Sequence, residues 1–116
     1  MLKVYHNPRC RKSREAINFL KKSNVEFQIV LYLEKPLSPE QLKEIIKKLK
    51  ILPEKLIRRQ EKIWKENFKN KNLSNKKVIE ILSSNPKLIE RPIITSNNKG
   101  IIGRPIENLA KFLNNV

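Results

Sequence analysis

Cys10 is the only cysteine of the chain, and it stands in the run His6-Asn7-Pro8-Arg9-Cys10-Arg11-Lys12-Ser13-Arg14, between a short apolar stretch and an amphipathic one. That order reads as a strand, a tight turn carrying a thiol, and the first turn of a helix. A helix N-terminus presents unpaired N–H groups and a partial positive charge, which favour a thiolate over a thiol and also bind oxyanions. A lone cysteine is commonly a small core hydrophobe, but Arg9, Arg11, Lys12 and Ser13 make no core environment. One short segment therefore offers both a nucleophile and a seat for an anion. With no second cysteine, Cys10 closes no intramolecular disulfide, so any redox chemistry takes its resolving thiol from another molecule. Ser13 fills the position of the second cysteine in C-x-x-C oxidoreductases. Its hydroxyl is able to donate to a thiolate or a bound oxyanion, but not to resolve a disulfide.

The arginines come next. They fall in four places, at 9, 11 and 14, at 58 and 59, at 91 and at 104, whereas the nineteen Lys are spread along the chain. Arg carries the planar fork that binds oxyanions through paired hydrogen bonds, so its placement is informative where that of Lys is not. Sequence alone does not bring Arg58, Arg91 and Arg104 together. His6 is a candidate for orienting the turn or moving a proton, with a structural, hydrogen-bonded histidine as the alternative. One His and one Cys make a zinc site implausible, and with only Gly100 and Gly103 there is no glycine-rich phosphate loop.

The elements that must position these residues follow from periodicity. Residues 2–5 read as a strand and 10–22 as a helix with Ala16, Ile17 and Leu20 on one face. The stretch 25–31 alternates Val25, Phe27, Ile29 and Leu31 with Glu26, Gln28 and Val30, a strand with one better-buried face. From 37 to 90 the pattern is almost entirely helical. Ser38-Pro39-Glu40-Gln41 combines an N-cap, a proline at the first helical position and a glutamine three residues on. Leu42, Ile45, Ile46 and Leu49 follow it at helical spacing. Pro53 opens a short helix with Leu56 and Ile57 inward, and Ser74 caps another bearing Val78, Ile81 and Leu82. Extended structure returns at 92–95, turns at 97–100 and comes back through Ile101-Ile102, and Arg104-Pro105 opens a last helix with Ile106, Leu109, Ala110 and Leu113. Without the helical insert the order is βαβ-ββα, the thioredoxin-type order. The expected fold is thus α/β, a four-stranded mixed sheet with a helical insert between the second and third strands. The expected organisation is a single domain over 1–116, its core 1–36 and 91–116 and its insert 37–90.

At 116 residues and 39% hydrophobic the chain is that of a folded globule. Its net charge of +15 suits either a lysine-rich solvated surface or an acidic partner. Scattered Lys and few aromatics argue against direct nucleic-acid binding. No signal peptide or membrane-length apolar run is visible, and with a single cysteine the expectation is a cytoplasmic protein without membrane association.

Several motifs together resemble the glutaredoxin-coupled arsenate reductase (ArsC) family, which includes the Spx-type regulators. His6-Asn7-Pro8-x-Cys10-x-x-Ser13-Arg14 is similar to its nucleophile motif, and Tyr32-Leu33-Glu34 with Pro36 to its segment after the second strand. Leu56-Ile57-Arg58-Arg59, Arg91-Pro92-Ile93-Ile94 and Gly103-Arg104-Pro105 resemble its later arginine motifs. The resemblance runs nearly end to end and implies a thioredoxin-like fold. It implies Cys10 as nucleophile supported by His6 and Ser13, an oxyanion held by Arg58, Arg91 and Arg104, and a cis peptide bond at Pro92. It further implies arsenate as substrate, no bound cofactor, glutathione as co-substrate and glutaredoxin as partner. The alternatives are a glutathione-dependent thiol-disulfide oxidoreductase of the same fold, and an Spx-type regulator that binds RNA polymerase. Where the well-characterised reductases have Gly-Thr after the cysteine this chain has Arg11-Lys12, two cations that attract an anion and are long enough to narrow a pocket.

Overall fold

The computed structural model describes residues 1–114. A four-stranded mixed sheet in the order β2-β1-β3-β4 forms its centre. Strand β1 (Leu2–Tyr5) pairs in parallel with β2 (Phe27–Val30) through helix α1 (Arg11–Lys22) and antiparallel with β3 (Ile93–Thr95), which forms a hairpin with β4 (Gly100–Ile102). Between β2 and β3 lie helices α2 (Pro39–Leu49), α3 (Lys62–Asn67) and α4 (Asn75–Ser84), with 3-10 turns at Pro53–Leu56 and Pro86–Leu88; α5 (Ile106–Asn114) follows β4. This is the thioredoxin-like order with its insert.

Alternation along β1 divides the core in two. Leu2 and Val4 face α1 and α5, packing with Ala16, Ile17, Leu20, Ile94, Leu109 and Phe112. Tyr5 faces the insert, with Tyr32, Leu42, Ile45, Leu56, Leu82, Leu88 and Ile93. The insert is therefore a second layer over the sheet. Deleting a fully buried side chain such as Leu20 or Leu82 would cost about 2–5 kcal/mol.

Local chemistry places the ends of these elements. The Ser38 hydroxyl accepts from the Gln41 N–H while the Gln41 side chain accepts from the Ser38 N–H, closing a reciprocal cap on α2. At α4 only half of this arrangement exists: the Ser74 hydroxyl accepts from the Lys77 N–H. After β4 the chain passes so near β3 that a Cβ on Gly103 would lie 3.0 Å from Ile94 Cδ1 and 3.3 Å from Pro92 Cγ, so a larger residue there would push these side chains aside.

Two details differ from the sequence reading. The second strand spans 27–30 rather than 25–31, and Ile29, expected on its better-buried face, is 43% exposed. Strand β2 stands at an edge of the sheet and is less buried than β1, so alternation there marks a face of the sheet and not its burial. Helix α3, with buried Trp64, and the Pro86–Leu88 turn also subdivide the insert further than periodicity indicated.

Candidate active site

Between β1 and α1 the chain makes a turn fixed by its own polar groups. The Cys10 N–H donates to the Asn7 carbonyl (2.9 Å), the Arg9 N–H to Asn7 Oδ1 (3.0 Å) and Arg14 Nη1 to the Pro8 carbonyl (2.8 Å). Cys10 is the N-cap of α1 and is 9% exposed. Ser13, fully buried in the first turn, holds the loop from below: its Oγ accepts from the Asn7 N–H at 3.0 Å and lies 2.7 Å from His6 Nδ1. Burial and then the nearby Arg14 charge push the His6 pKa below its ordinary value, so the imidazole is neutral near pH 7. One hydroxyl thus ties the end of β1 to the helix start that bears the thiol.

Opposing effects act on that thiol. Burial raises its pKa, but the Ser13 N–H, the charge and hydrogen bonding of Arg91, and the Lys12 N–H together outweigh burial and hold it below the ordinary thiol value. The helix N-terminus inferred from sequence accounts for two of these contributions. The third comes from residue 91, eighty-one positions away, brought up by the turn into β3.

Cys10 opens onto a cleft of about 880 Å³ whose lining includes Arg9, Tyr32, Glu34, Arg58, Glu61, Lys87 and Arg91. Four cations thus stand around it against two carboxylates. Of the arginines expected to hold an anion, the structure brings Arg58 and Arg91 to this cleft. Arg104 instead lines a separate hollow of about 410 Å³ with Leu49, Glu90 and Asn108. The Arg91–Pro92 peptide before β3 is cis, and so is Arg104–Pro105. Arg11 and Lys12 do not line the cleft. They lie along the outer face of α1 beside Glu15, at 3.6 Å and 3.9 Å, so the expected narrowing does not occur.

The two expected arginines that reach the cleft differ in state. Arg58 Nη1 donates to Glu61 Oε1 at 2.6 Å, and its Nε lies 3.5 Å from Glu90 Oε1. Arg91 keeps buried Nε and Nη1 atoms without a hydrogen-bond partner among the described residues. Arg91 therefore has two buried donor atoms free of protein partners, whereas Arg58 spends Nη1 on Glu61 and keeps Nε unbonded.

Sequence reasoning gave no cleft role to Tyr32, Glu61 or Lys87. Tyr32 is 1% exposed, and burial, partly offset by Arg91, pushes its pKa up to about 12, so its hydroxyl stays protonated beside the thiol. Glu61 carried one signal, its spacing of three from Arg58.

Comparison with known proteins adds to this geometry. The ArsC family model matches residues 5–112. The chain is 43% identical over 114 residues to the uncharacterized protein YfgD of Escherichia coli (strain K12), covering 97% of this chain and 96% of that protein. It is 36% identical over 114 residues to an arsenate reductase of Neisseria meningitidis serogroup A, with 97% of each chain covered. Among solved structures, an arsenate reductase from Vibrio cholerae superposes with a TM-score of 0.90 at 35% identity, covering 95% of both chains.

Proposed function

This chain belongs to the ArsC family, and from that premise we propose that it is an arsenate reductase working through the Cys10 thiolate with glutathione and glutaredoxin as external reductants. The observation that carries the reading is the meeting, in one open cleft, of a thiol of lowered pKa with an Arg91 guanidinium whose buried Nε and Nη1 have no hydrogen-bond partner among the described residues. A nucleophile and an oxyanion receptor are what attack on a tetrahedral oxyanion requires.

In the proposed sequence, arsenate enters the cleft with its oxygens toward Arg91. The Cys10 sulfur forms a bond to arsenic(V), and one arsenate oxygen leaves as water with protons from the substrate and solvent. The Tyr32 hydroxyl and the N-terminal N–H groups of α1 offer neutral donors to the remaining oxygens. A glutathione thiol then joins its sulfur to that of Cys10; the S–As bond breaks and its electron pair stays on arsenic, which leaves as arsenite. Arsenic gains two electrons and the two thiols lose two as the Cys10–glutathione disulfide. Glutaredoxin takes the glutathione away by thiol exchange and returns Cys10. A chain with one cysteine suits this external-thiol route. His6 and Ser13 act by holding the turn, while Arg104, in a separate hollow, takes no direct part.

The test follows NADPH oxidation with glutathione, glutaredoxin and glutathione reductase, with and without arsenate. Arsenate-dependent turnover, abolished in Cys10→Ser, is the expected result. Absence of turnover in a protein whose Cys10 is nevertheless acidic and readily glutathionylated would replace the reading with a thiol-disulfide oxidoreductase.

A further inference from the structure

Two carboxylates line the cleft and neither suits a simple anion receptor; Glu34 is exposed, whereas Glu61 is held in place. It is part-buried, lines the same cavity as Cys10 and Arg91, and occupies Arg58 at 2.6 Å. A carboxylate only accepts hydrogen bonds. Placed beside an oxyanion it repels one that has no proton, and it accepts from one that carries a hydroxyl. Arsenate and phosphate keep such a hydroxyl near neutral pH, whereas sulfate has none.

Resting on the reading of this cleft as an oxyanion site, we propose that Glu61 is its specificity residue, admitting protonated tetrahedral oxyanions and rejecting sulfate. The position is held from two sides. Glu61 is the residue immediately before α3, its backbone N–H donates to the Arg58 carbonyl at 3.2 Å, and its carboxylate is anchored on the Arg58 side chain. Arg58 is anchored in turn, its N–H donating to the Leu88 carbonyl at 2.7 Å and its Nε lying beside Glu90. The carboxylate therefore does not depend on the anion for its place. Arg91, without a protein partner on Nε and Nη1, supplies the attraction common to all tetrahedral anions, and Glu61 supplies the discrimination.

The experiment measures how well phosphate or sulfate protects Cys10 from iodoacetamide at constant ionic strength near neutral pH, so neither reductant nor turnover is needed. Phosphate is expected to protect at least about tenfold more tightly than sulfate, the ratio that one hydrogen bond to a charged group supports. In Glu61→Gln the amide donates to sulfate, and the ratio falls to within about threefold. The ratio is the readout, because releasing Arg58 tightens both anions. Glu80→Gln, the same charge change on the outer face of α4 beside Lys77, should keep the wild-type ratio. Equal protection by the two anions in the wild type, or an unchanged ratio in Glu61→Gln, overturns the role of Glu61 while leaving the oxyanion site in place. Protection by neither anion overturns the oxyanion site and the inference with it.

Discussion

Cys10 and Arg91 stabilise one another's charge, and the consequence has a definite sign. The folded thiol has a pKa below the 9.0 of a free one. Between the folded and unfolded values the unfolded chain binds more protons, so the stability contributed by the thiolate is fully present above 9.0 and lost as pH falls through the folded value. Arg91→Ala should raise the pH at which Cys10 is alkylated, shrink that pH-dependent stability and lower kcat/KM for arsenate about 10- to 100-fold, the size of a lost charge-assisted hydrogen bond. Arg58→Ala should act differently. Its charge is not among the influences that lower the thiol pKa, so alkylation should keep its wild-type pH profile. Anion binding should still weaken, because Glu61 and Glu90 are left without their cation in or beside the cleft. Alkylation rates across pH and steady-state kinetics on both variants separate the two roles.

Among the elements, those that carry the site are fixed by short-range chemistry, and one of them holds a correctable cost. Helix α2 ends at Lys50, whose φ of 55° and ψ of 44° are left-handed. Glycine is the usual residue there, since a Cβ costs roughly 1–2 kcal/mol in that conformation. Lys50→Gly should therefore stabilise the protein by about 0.5–1 kcal/mol once the greater freedom of glycine in the unfolded chain is deducted. Urea denaturation measures it, and Cys10 alkylation should be unaffected, because Lys50 does not line the cleft. The capping box of α2, the Ser74 cap of α4, the apolar stripes of α1, α2 and α4 and the hairpin at 97–100 were all legible in the sequence, because each depends on residues a few positions apart. The length of β2 and the exposure of Ile29 were not, because they depend on which strand stands at the edge.

Over the whole molecule, the net charge of +15 acts on a body with a radius of gyration of 13.9 Å. At low salt the Debye length of about 30 Å exceeds that radius, so the charges repel across the protein; near physiological salt it is about 8 Å and they act locally. Raising sodium chloride across this range should raise the thermal midpoint and, in the opposite sense, raise the KM for arsenate as long-range attraction is screened. A midpoint that fell with added chloride would show that specific ion pairs, not self-repulsion, dominate the balance. Ion pairs such as Lys62–Glu66 and Lys77–Glu80 join solvent-exposed side chains and contribute little each. No helix among the described residues is long and apolar enough to cross a membrane.

What the sequence determined by itself was local or motif-bound: a thiol at a helix start with Ser13 three residues on, the order of strands and helices, and the family that the combined motifs indicate. Only the tertiary structure decided which distant charges reach that thiol. Arg91 arrives through the turn into β3 and Arg58 through its bond to the Leu88 carbonyl, while Arg104 goes to another hollow and Glu61 enters the cleft with its partner. The physical reason is range. Caps and periodicities are set within a turn or two of chain, whereas the convergence of residues 10, 58, 61 and 91 is the product of two core layers closing on opposite faces of one sheet.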